Sequence, residues 1–593
     1  MREAFRQIYL SQLERTHACN ERALRRERRV IAPRSRLPIT QRHFVATFLV
    51  TRNRSRETAC RRRCFASRRP EKQRDRHHLQ SSGASLHEAI VVIVRATTSM
   101  HLLRQIQWNI LRRPFRHAIV DDQRTWRAFE LQVVAWHIAR HVERLSTRER
   151  IGIMVPTSGL FPAALMAVWS LGKTAVPVNY LLSRADLEHV CRDAQLDLCI
   201  TVGPMIDFVG GLPAGVQPLQ LEKLSFGGLP PIRRSRPMSA DRLAMLLYTS
   251  GTSGKPKGVM LTAGNFAANI SQIIARARFN PQDVLLGVLP QFHSMGVTVM
   301  TLLPLALGCK VVYSARFVPK RIFELARSHR PSVIVAIPSM YGALRTVKDA
   351  TAADLRSLRF VVSGGEPLPR AVAEGFEERF GKRICEGFGL TETAPVCNWC
   401  LPEEWRERSV GRALDGVQQR IVAADGSDVT ADGEGEIRIK GPNVMQGYWN
   451  LAEETAAVFD GDGFFKTGDI GRIDAEGHLF ITGRLKEMLI IGGENVFPRE
   501  IEEVLDRHPT VKASACVGAS DPSRGEVPIA FVECKEGEAF DAAALRAWCR
   551  EHLPQFKVPR EIRHLDPLPR NPTGKIIRRA LKQLLDESPA EQR

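Results

Sequence analysis

The stretch from Tyr248 to Leu261, YTSGTSGKPKGVML, holds three glycines, two lysines and five hydroxyl side chains within fourteen residues. Glycines let a loop approach a ligand closely, and successive backbone N–H groups in such a loop form an anion-binding concavity. The apolar run LAMLL just before it predicts a buried strand, and α/β folds bind ligands where strands end. We therefore favour a polyphosphate-binding loop over a solvated surface turn. Its candidate ligands are Thr249, Ser250, Gly251, Thr252, Ser253, Gly254, Lys255 and Lys257.

The loop does not have the spacing of the ATPase P-loop, because the residue five positions before Gly254 is Thr249 instead of glycine. Further stretches supply glycines, carboxylates, hydroxyls and a second lysine loop. Singly, each is explained by an ordinary turn or hinge. They are SGGEPL at 363–368, CEGFGLTE at 385–392, FKTGDIGRIDAEGHLFITGRLKEMLIIGGENVFPREIE at 465–502 and PRNPTGKIIRR at 569–579.

Together and in this order, the five stretches resemble the adenylate-forming (AMP-binding) superfamily, and the apolar text after His293 resembles its long-chain fatty acid–CoA ligases. The resemblance covers residues 100 to 585. It implies that an acid is first joined to AMP from ATP and then transferred to coenzyme A. The carboxylate nucleophile is already ionised at neutral pH, so the protein must mainly offset charge on the phosphoryl group.

The resemblance also implies roles for individual residues. Glu392 would help to hold Mg²⁺, Thr391 would contact the α-phosphate, and Lys575 would bridge the acyl carboxylate and the α-phosphate. The adenine pocket would be formed by Gly364, Gly365, Glu366, Phe388 and Gly389, with Phe388 where tyrosine is common. Asp469 and Arg484 would bind the ribose, since a carboxylate can accept hydrogen bonds from both hydroxyls of a cis-diol.

For thioester formation, the resemblance implies that a C-terminal module swings about Lys486. The swing would withdraw Lys575 and present the Gly492–Gly493 face to a pantetheine thiol. His293 in QFHSMG matches the family position beside the acyl carboxylate. A lone histidine is otherwise read as a buried structural residue, and we favour the functional role.

The elements that must position these residues alternate between strands and helices. From residue 150 to 380 the near-continuous apolar strands indicate a doubly wound α/β body with a parallel sheet buried on both faces. Residues 410–465 change to short strands with Gly and Asp turns, which predicts a small antiparallel barrel or sheet. A compact α+β module follows. We place domains at 1–99, an arginine-rich extension; 100–485, the AMP-binding domain; and 486–593, the mobile module.

Charge is distributed unevenly along the chain of 593 residues. Residues 1–80 carry 22 Lys and Arg against 7 Asp and Glu, a formal charge of +15, while the formal charge of the whole chain is +21. The body is therefore nearly balanced, and we expect no nucleic-acid partner. The extension lacks sustained periodicity, so we interpret residues 1–99 as disordered or as lying before the true start of translation.

Cysteines and hydropathy point to a reduced intracellular environment. The twelve cysteines are scattered without zinc-ligand spacing, and no apolar run reaches the roughly 20 residues that span a bilayer. We expect a cytoplasmic protein, with peripheral contact at a membrane surface left open. The oligomeric state is not indicated by the sequence.

The leading hypothesis is a long-chain fatty acid–CoA ligase that uses ATP, Mg²⁺ and CoA. Amino-acid-activating relatives usually carry an aspartate where this chain has Phe292–His293–Ser294. The surrounding sequence is apolar, for example at Met295, Val299, Ala336 and Met340. Two alternatives stay open: an acyl–acyl-carrier-protein synthetase, and a catalytically silent nucleotide-binding relative.

A truncated protein that begins at Met100 should keep its thermal midpoint and its ligase activity. The extension has no pattern that could pack on the body, so its removal should expose no core. Differential scanning calorimetry and thioester assays on the full-length and truncated chains check this. A large fall in either quantity would mean that the extension is part of the folded structure.

Overall fold

The computed structural model describes residues 102–228, 230, 232, 235–250, 255–430, 432–570 and 576–586. All of them belong to one compact unit. The predicted extension at 1–99 lies outside the described residues, as do residues 251–254 and 571–575. Among the described residues, no helix combines the length and the apolarity needed to cross a bilayer.

Strands in the described residues are numbered here in chain order. They are β1 His117–Val120, β2 Thr125–Arg127, β3 Arg150–Met154, β4 Thr174–Pro177, β5 Leu198–Thr201, β6 Gln217–Gln220, β7 Leu243–Ser250, β8 Pro256–Thr262, β9 Val284–Gly287, β10 Lys310–Tyr313, β11 Val333–Ala336, β12 Phe360–Gly364, β13 Cys385–Gly389, β14 Val396–Trp399, β15 Ser409–Ala413, β16 Gln418–Val422, β17 Gly435–Lys440, β18 Gly447–Tyr448, β19 Phe465–Ile473, β20 His478–Arg484, β21 Leu489–Ile491, β22 Glu494–Val496, β23 Val511–Asp521, β24 Gly525–Cys534 and β25 Glu561–His564.

The α-helices of the described residues lie between these strands. They are Leu102–Arg112, Ala128–Leu145, Leu160–Ser170, Arg184–Asp193, Gly203–Phe208, Ala263–Ala277, Ser294–Val297, Leu303–Leu307, Pro319–His329, Pro338–Leu344, Arg370–Phe380, Ala452–Ala457, Pro498–Leu505, Ala542–His552 and Arg578–Asp586. A π-helical turn, Thr298–Leu302, joins two short helices after His293. Such turns are rare and occur often at functional sites.

Two sheets form the body. The larger has the strand order β16-β17-β19-β20-β15-β14-β13-β12-β11-β9-β10-β1-β2, and the smaller has the order β18-β8-β7-β4-β3-β5-β6. From β1 through β13 the larger sheet is parallel, with β1, β10, β9, β11, β12 and β13 adjacent in that order. The predicted α/β body with a parallel sheet is confirmed.

The helix Leu160–Ser170 is enclosed by other elements of the body. Nearly every residue of the helix is buried, so its sequence LFPAALMAVWS is apolar on all sides, as expected for a helix enclosed by other elements. Trp169 is 1% exposed, and its indole N–H donates to the carbonyl of Ala244 in β7 at 2.9 Å. The bond fixes the helix against the strand that leads into the glycine-rich loop.

The segment 410–465 forms a sheet extension instead of a separate barrel. Strands β15, β16, β17, β19 and β20 pair antiparallel and continue the larger sheet beyond β14. The prediction of antiparallel strands is correct, and the barrel alternative is wrong. The extension arises because β14 already reverses direction against β13, which leaves an antiparallel edge for the next strands.

The C-terminal module has its own five-stranded sheet, β22-β21-β24-β23 with β25 paired to β24. A separate apolar cluster between this sheet and the helices Pro498–Leu505 and Ala542–His552 includes Ile491, Ile501 and Leu545. Lys486 lies in the 3₁₀ turn Leu485–Glu487 between the two sheet systems. The domain boundary at Lys486 stays a prediction, since the described residues form one compact unit.

All nine cysteines of the described residues are buried and unbridged. Burial is the main reason why the pKa of most of these thiols is raised, for example to about 11 at Cys191 and Cys549. The thiols whose pKa is raised are therefore poor nucleophiles in the folded chain.

Candidate active site

The glycine-rich loop is the tip of a hairpin. Strands β7 and β8 pair antiparallel with Tyr248 opposite Gly258, so the loop joins two fixed strand ends. The hydroxyl of Tyr248 donates to the carboxylate of Asp193 at 2.6 Å, which anchors the first strand. Thr249 is half-buried and Lys255 is exposed, both beside the tip. The predicted ligands Gly251, Thr252, Ser253 and Gly254 lie outside the described residues, and of Ser250 only the backbone is described.

Lys257 points from β8 toward the segment that contains Tyr448. Its ammonium group forms an ion pair with Glu454 and lies 5.4 Å from the centre of the Tyr448 ring. Both contacts hold a positive charge at the side of the loop without placing it in bulk water. A lysine held in this way can exchange the Glu454 carboxylate for a phosphate oxygen.

Glu392 is half-buried beside Tyr448. The Tyr448 hydroxyl donates to Glu392 Oε1 at 2.9 Å. Burial raises the pKa of Glu392, and the hydrogen bond from Tyr448 and the charge of Arg484 act in the opposite direction. A carboxylate in such surroundings gains from a nearby cation. Magnesium is commonly held by one or two protein carboxylates plus phosphate oxygens, and this single carboxylate beside the phosphate loop fits that pattern.

Thr391 connects the Glu392 turn to the histidine motif. The Thr391 hydroxyl donates to Ser294 Oγ at 3.4 Å, and Ser294 follows His293 in the chain. His293 is exposed and its ring lies 5.7 Å from that of Phe292. This placement contradicts the reading of His293 as a buried structural residue. A role beside the acyl carboxylate stays a prediction.

The predicted adenine residues come together at the ends of two parallel strands. Gly364 in β12 pairs with Gly387 in β13, next to Phe388, which is 8% exposed. Gly365 follows with a φ of +86°, in the left-handed region that favours glycine. A Cβ atom at Gly389 would lie 1.7 Å from the carbonyl oxygen of Pro395, so only glycine fits there. Glu366 is half-buried in the loop that follows.

The two predicted ribose ligands, Asp469 and Arg484, form an ion pair with each other. Arg484 Nε donates to Asp469 Oδ1 at 2.7 Å, and the two residues face each other across β19 and β20. Asp469 is 2% exposed, whereas the Arg484 side chain is 52% exposed. The buried carboxylate is thus oriented by an arginine that reaches the surface.

The remaining predicted site residues lie at the pivot or in the C-terminal module. Gly492 and Gly493 form an exposed turn between β21 and β22, with φ values of +62° and +92°. A Cβ atom added at either glycine would meet nothing within 4 Å. Lys486 is in the 3₁₀ turn after β20. Lys575 lies outside the described residues.

A small apolar cavity lies behind the predicted adenine strand. It has a volume of about 20 Å³. Its lining contains no charged side chain and consists of Met295, Val299, Val335, Val362, Ser363, Gly387, Phe388, Gly389, Pro395, Val396 and Trp399. Met340, which the sequence placed with this group, does not line it.

A second cavity, of about 930 Å³, opens between the antiparallel part of the large sheet and the module. Leu485 and Met488 line it on either side of Lys486, and Arg499 and Glu503 line it from the module. No predicted nucleotide ligand within the described part of the chain lines it. It therefore belongs to the junction of body and module and not to the nucleotide site.

Sequence comparison gives two matches to family models. Residues 106–449 match the model described as AMP-binding enzyme, and residues 500–575 match the AMP-binding enzyme C-terminal domain. The first match alone covers more than half of the chain. The chain belongs to the AMP-binding enzyme family.

Individual relatives agree with this assignment. The chain is 33% identical over 441 residues to a feruloyl-CoA synthase of Amycolatopsis sp, covering 72% of this chain and 87% of that protein. It is 31% identical to a long-chain-fatty-acid–CoA ligase of Bacillus subtilis, covering 74% and 86% of the two chains. The crystal structure of ATP-bound MatB from Rhodopseudomonas palustris superposes with a TM-score of 0.76 at 29% identity, covering 82% and 99%.

This member of the AMP-binding enzyme family is an acid–CoA ligase of the AMP-forming type, with ATP and CoA as co-substrates. Tyr448 lies outside the sequence motifs, and Ser294 lies in QFHSMG but has no predicted role of its own. Tyr448 and Ser294 hold Glu392 and Thr391 through side-chain contacts across distant segments. Neither spacing nor composition indicates such contacts.

Replacing Tyr448 with phenylalanine should lower kcat/KM for adenylation by about tenfold. Loss of one hydrogen bond to a charged group costs about 1.4 kcal/mol or more. Because the hydroxyl stabilises the ionised carboxylate, its removal raises the pKa of Glu392 further. Activity should then be lost at a higher pH as the solution is acidified. Pyrophosphate release measured across pH checks both expectations.

Tyr341→Phe is the matched control. Its hydroxyl donates to the carbonyl of Val362 within the core at 2.8 Å. This variant should lower the thermal midpoint without moving the acid limb of the pH–rate profile. An unchanged acid limb in Tyr448→Phe would show that the Tyr448 hydroxyl does not act through Glu392.

Proposed function

We propose that the protein is an ATP-dependent fatty acid–CoA ligase. The observation that carries the proposal is the uncharged, apolar lining of the cavity that Phe388 and Met295 help to form. An acid with a charged tail would have to bury that charge there without a partner, which is costly. An alkyl chain gains about 0.8 kcal/mol for each methylene it buries.

The acyl chain must enlarge this cavity as it enters. Met295 is half-buried on its wall, and its Cε atom lies 3.2 Å from the position of a Cβ at Gly364. Methionine is unbranched and flexible, so it can fill a gap when the ligand is absent and turn away when the ligand binds. We infer that Met295 occupies part of the space used by the acyl chain.

Residues at the front of the site would support adenylation. Lys257 and the hydroxyls of Thr249 and Thr391 would offset charge on the phosphates while the acid carboxylate attacks the α-phosphate. Glu392 would hold Mg²⁺, which supplies charge neutralisation on the phosphate oxygens when bound. The inferred role of Lys575 is to bridge the two reacting groups, and that of Asp469 is to orient the ribose.

Thioester formation would follow a rotation of the module about Lys486. In the described residues, Arg408 pairs with Glu503 at 2.7 Å and Arg499 donates to the carbonyl of Ile481 at 2.7 Å across the junction. These are polar, partly exposed contacts, and the 930 Å³ cavity lies beside them. Rotation would therefore break few packed contacts, which favours a movable module.

A second candidate is a CoA ligase for a compact aryl acid. Trp399 helps to line the cavity, and an indole ring packs favourably against an aryl group. The feruloyl-CoA synthase relative, at 33% identity, supports the same possibility. An acyl-carrier-protein acceptor is distinguished from CoA by supplying each thiol in turn.

A panel of acids should separate these candidates. For a fatty acid ligase, kcat/KM rises from butanoate to dodecanoate, because each added methylene is buried at about 0.8 kcal/mol less the cost of ordering the chain. Benzoates and cinnamates should be poor substrates. The measurement is pyrophosphate release with and without CoA. A profile that peaks at acetate or at an aryl acid would contradict the fatty-acid assignment.

Met295→Ala tests the inferred wall of the acyl site within the same panel. It should raise kcat/KM for the longest acids relative to butanoate, since the side chain that must move is gone. Met340→Ala is the control, because Met340 is also half-buried but does not line the cavity. Equal profiles for the two variants would remove Met295 from the acyl site.

Lys575→Ala should abolish acyl-adenylate formation and leave thioester formation from supplied acyl-adenylate largely intact. Loss of one transition-state cation typically lowers the rate by about 10²-fold or more. Single-turnover assays of each half-reaction make the comparison. An equal loss in both would contradict the division of labour between the two orientations of the module.

A further inference from the structure

The loop that contains Lys575 is closed at its base by described residues. Arg570 and Ile576 form an isolated antiparallel bridge, and the N–H of Ile577 donates to the carbonyl of Pro569 at 2.8 Å. The described residues on either side of 571–575 are therefore held together.

Arg578 fixes the return point of the loop. It is the first residue of the helix Arg578–Asp586 and lies three positions after Lys575 in the sequence. Its Nε is 3.1 Å from Glu487 Oε2 and its Nη2 is 3.0 Å from Glu502 Oε2. Nη1 forms a second bond to Glu502 and donates to the carbonyl of Cys516 at 3.1 Å. All three guanidinium nitrogens are thus engaged.

The cluster is partly shielded from water. The Arg578 side chain is 27% exposed and that of Glu502 is 13% exposed. Burial opposes the charge on Arg578, but the carboxylates of Glu502 and Glu487 outweigh it and raise the pKa of the guanidinium. A two-pronged arginine–carboxylate pair fixes orientation as well as distance, which a lysine cannot do.

Glu487 links this cluster to the inferred pivot, Lys486. It follows Lys486 directly in the 3₁₀ turn Leu485–Glu487, and that turn follows Arg484 at the end of β20. Glu502 lies in the helix Pro498–Leu505 on the other side of Arg578. One guanidinium therefore joins the residue next to the inferred pivot, a module helix and the foot of the lysine loop.

We propose that Arg578 is a positioning residue that transmits rotation about Lys486 to the lysine loop. The proposal rests on the function proposed above, in which Lys575 acts only in adenylation. Rotation at a single pivot places a distant side chain accurately only if the path between them is stiff. Displacement of a reacting group by about 1 Å can cost as much as 10²-fold in rate.

The test uses the full-length chain and measures each half-reaction separately. Arg578→Ala should slow single-turnover acyl-adenylate formation at least about tenfold, while thioester formation from supplied acyl-adenylate changes by less than about twofold. Arg578→Lys should fall between this variant and the native protein. Arg579→Ala is the matched control, since Arg579 is the next residue and is exposed. It should change neither half-reaction.

Glu487→Gln separates transmission from folding. The Glu487 side chain is 37% exposed and its loss leaves the pair between Arg578 and Glu502 in place. This variant should keep the thermal midpoint of the native protein and still slow adenylation several-fold. It also decides the outcome if Arg578→Ala does not fold.

Two results would overturn the proposal. One is a fall in both half-reactions of Arg578→Ala that follows its loss of thermal stability, which would make Arg578 a brace of the fold only. The other is native adenylation in Glu487→Gln. If Lys575→Ala leaves adenylation intact, the proposed function fails instead, and that result does not depend on either Arg578 or Glu487.

Discussion

A half-buried carboxylate, Glu392, constrains the arrangement around it. Burial disfavours its ionised form, so the site must supply compensating donors or cations. Tyr448 supplies a hydroxyl, and Lys257 lies over the ring of the same tyrosine. The segment before Tyr448 is also tied to the Glu392 turn through the main chain, because the N–H of Met445 donates to the main-chain carbonyl of Glu392 at 2.8 Å. The glycine-rich hairpin, the Glu392 turn and the strand at Tyr448 therefore cannot move independently.

Much of the body could be predicted from the sequence because parallel strands buried on both faces consist of short runs of apolar residues. SVIVAIP, RFVVSG and KVVYSA each form a strand, and the intervening amphipathic segments form helices. Two glycines of the predicted ligand segments, at 365 and 389, meet local backbone requirements, while the ligand roles of these segments stay predictions. Gly365 has a positive φ, and Gly389 has no room for a side chain.

The remaining features depend on contacts between segments that are far apart in the chain. Tyr448 and Glu392 are separated by 56 positions, and Thr391 and Ser294 by 97. Local propensity carries no information on such pairs. The same applies to the strands at 410–465, whose antiparallel character is visible in their turns. Their fusion with the larger sheet depends on an edge made by β14. The small volume of the cavity beside Met295 depends on how densely the side chains pack, which the run of apolar residues in the sequence does not determine.

The burial of every described thiol has a practical consequence for observing the module. From Met100 onward the chain has nine cysteines, and all nine are buried and unbridged. Maleimide dyes react with accessible thiolates, so the native thiols of that part of the chain would remain unlabelled while it is folded. In a chain that begins at Met100, two cysteines introduced on the surface, one on each side of Lys486, would then be the reactive pair. Energy transfer between their dyes would report the orientation of the module during a single turnover.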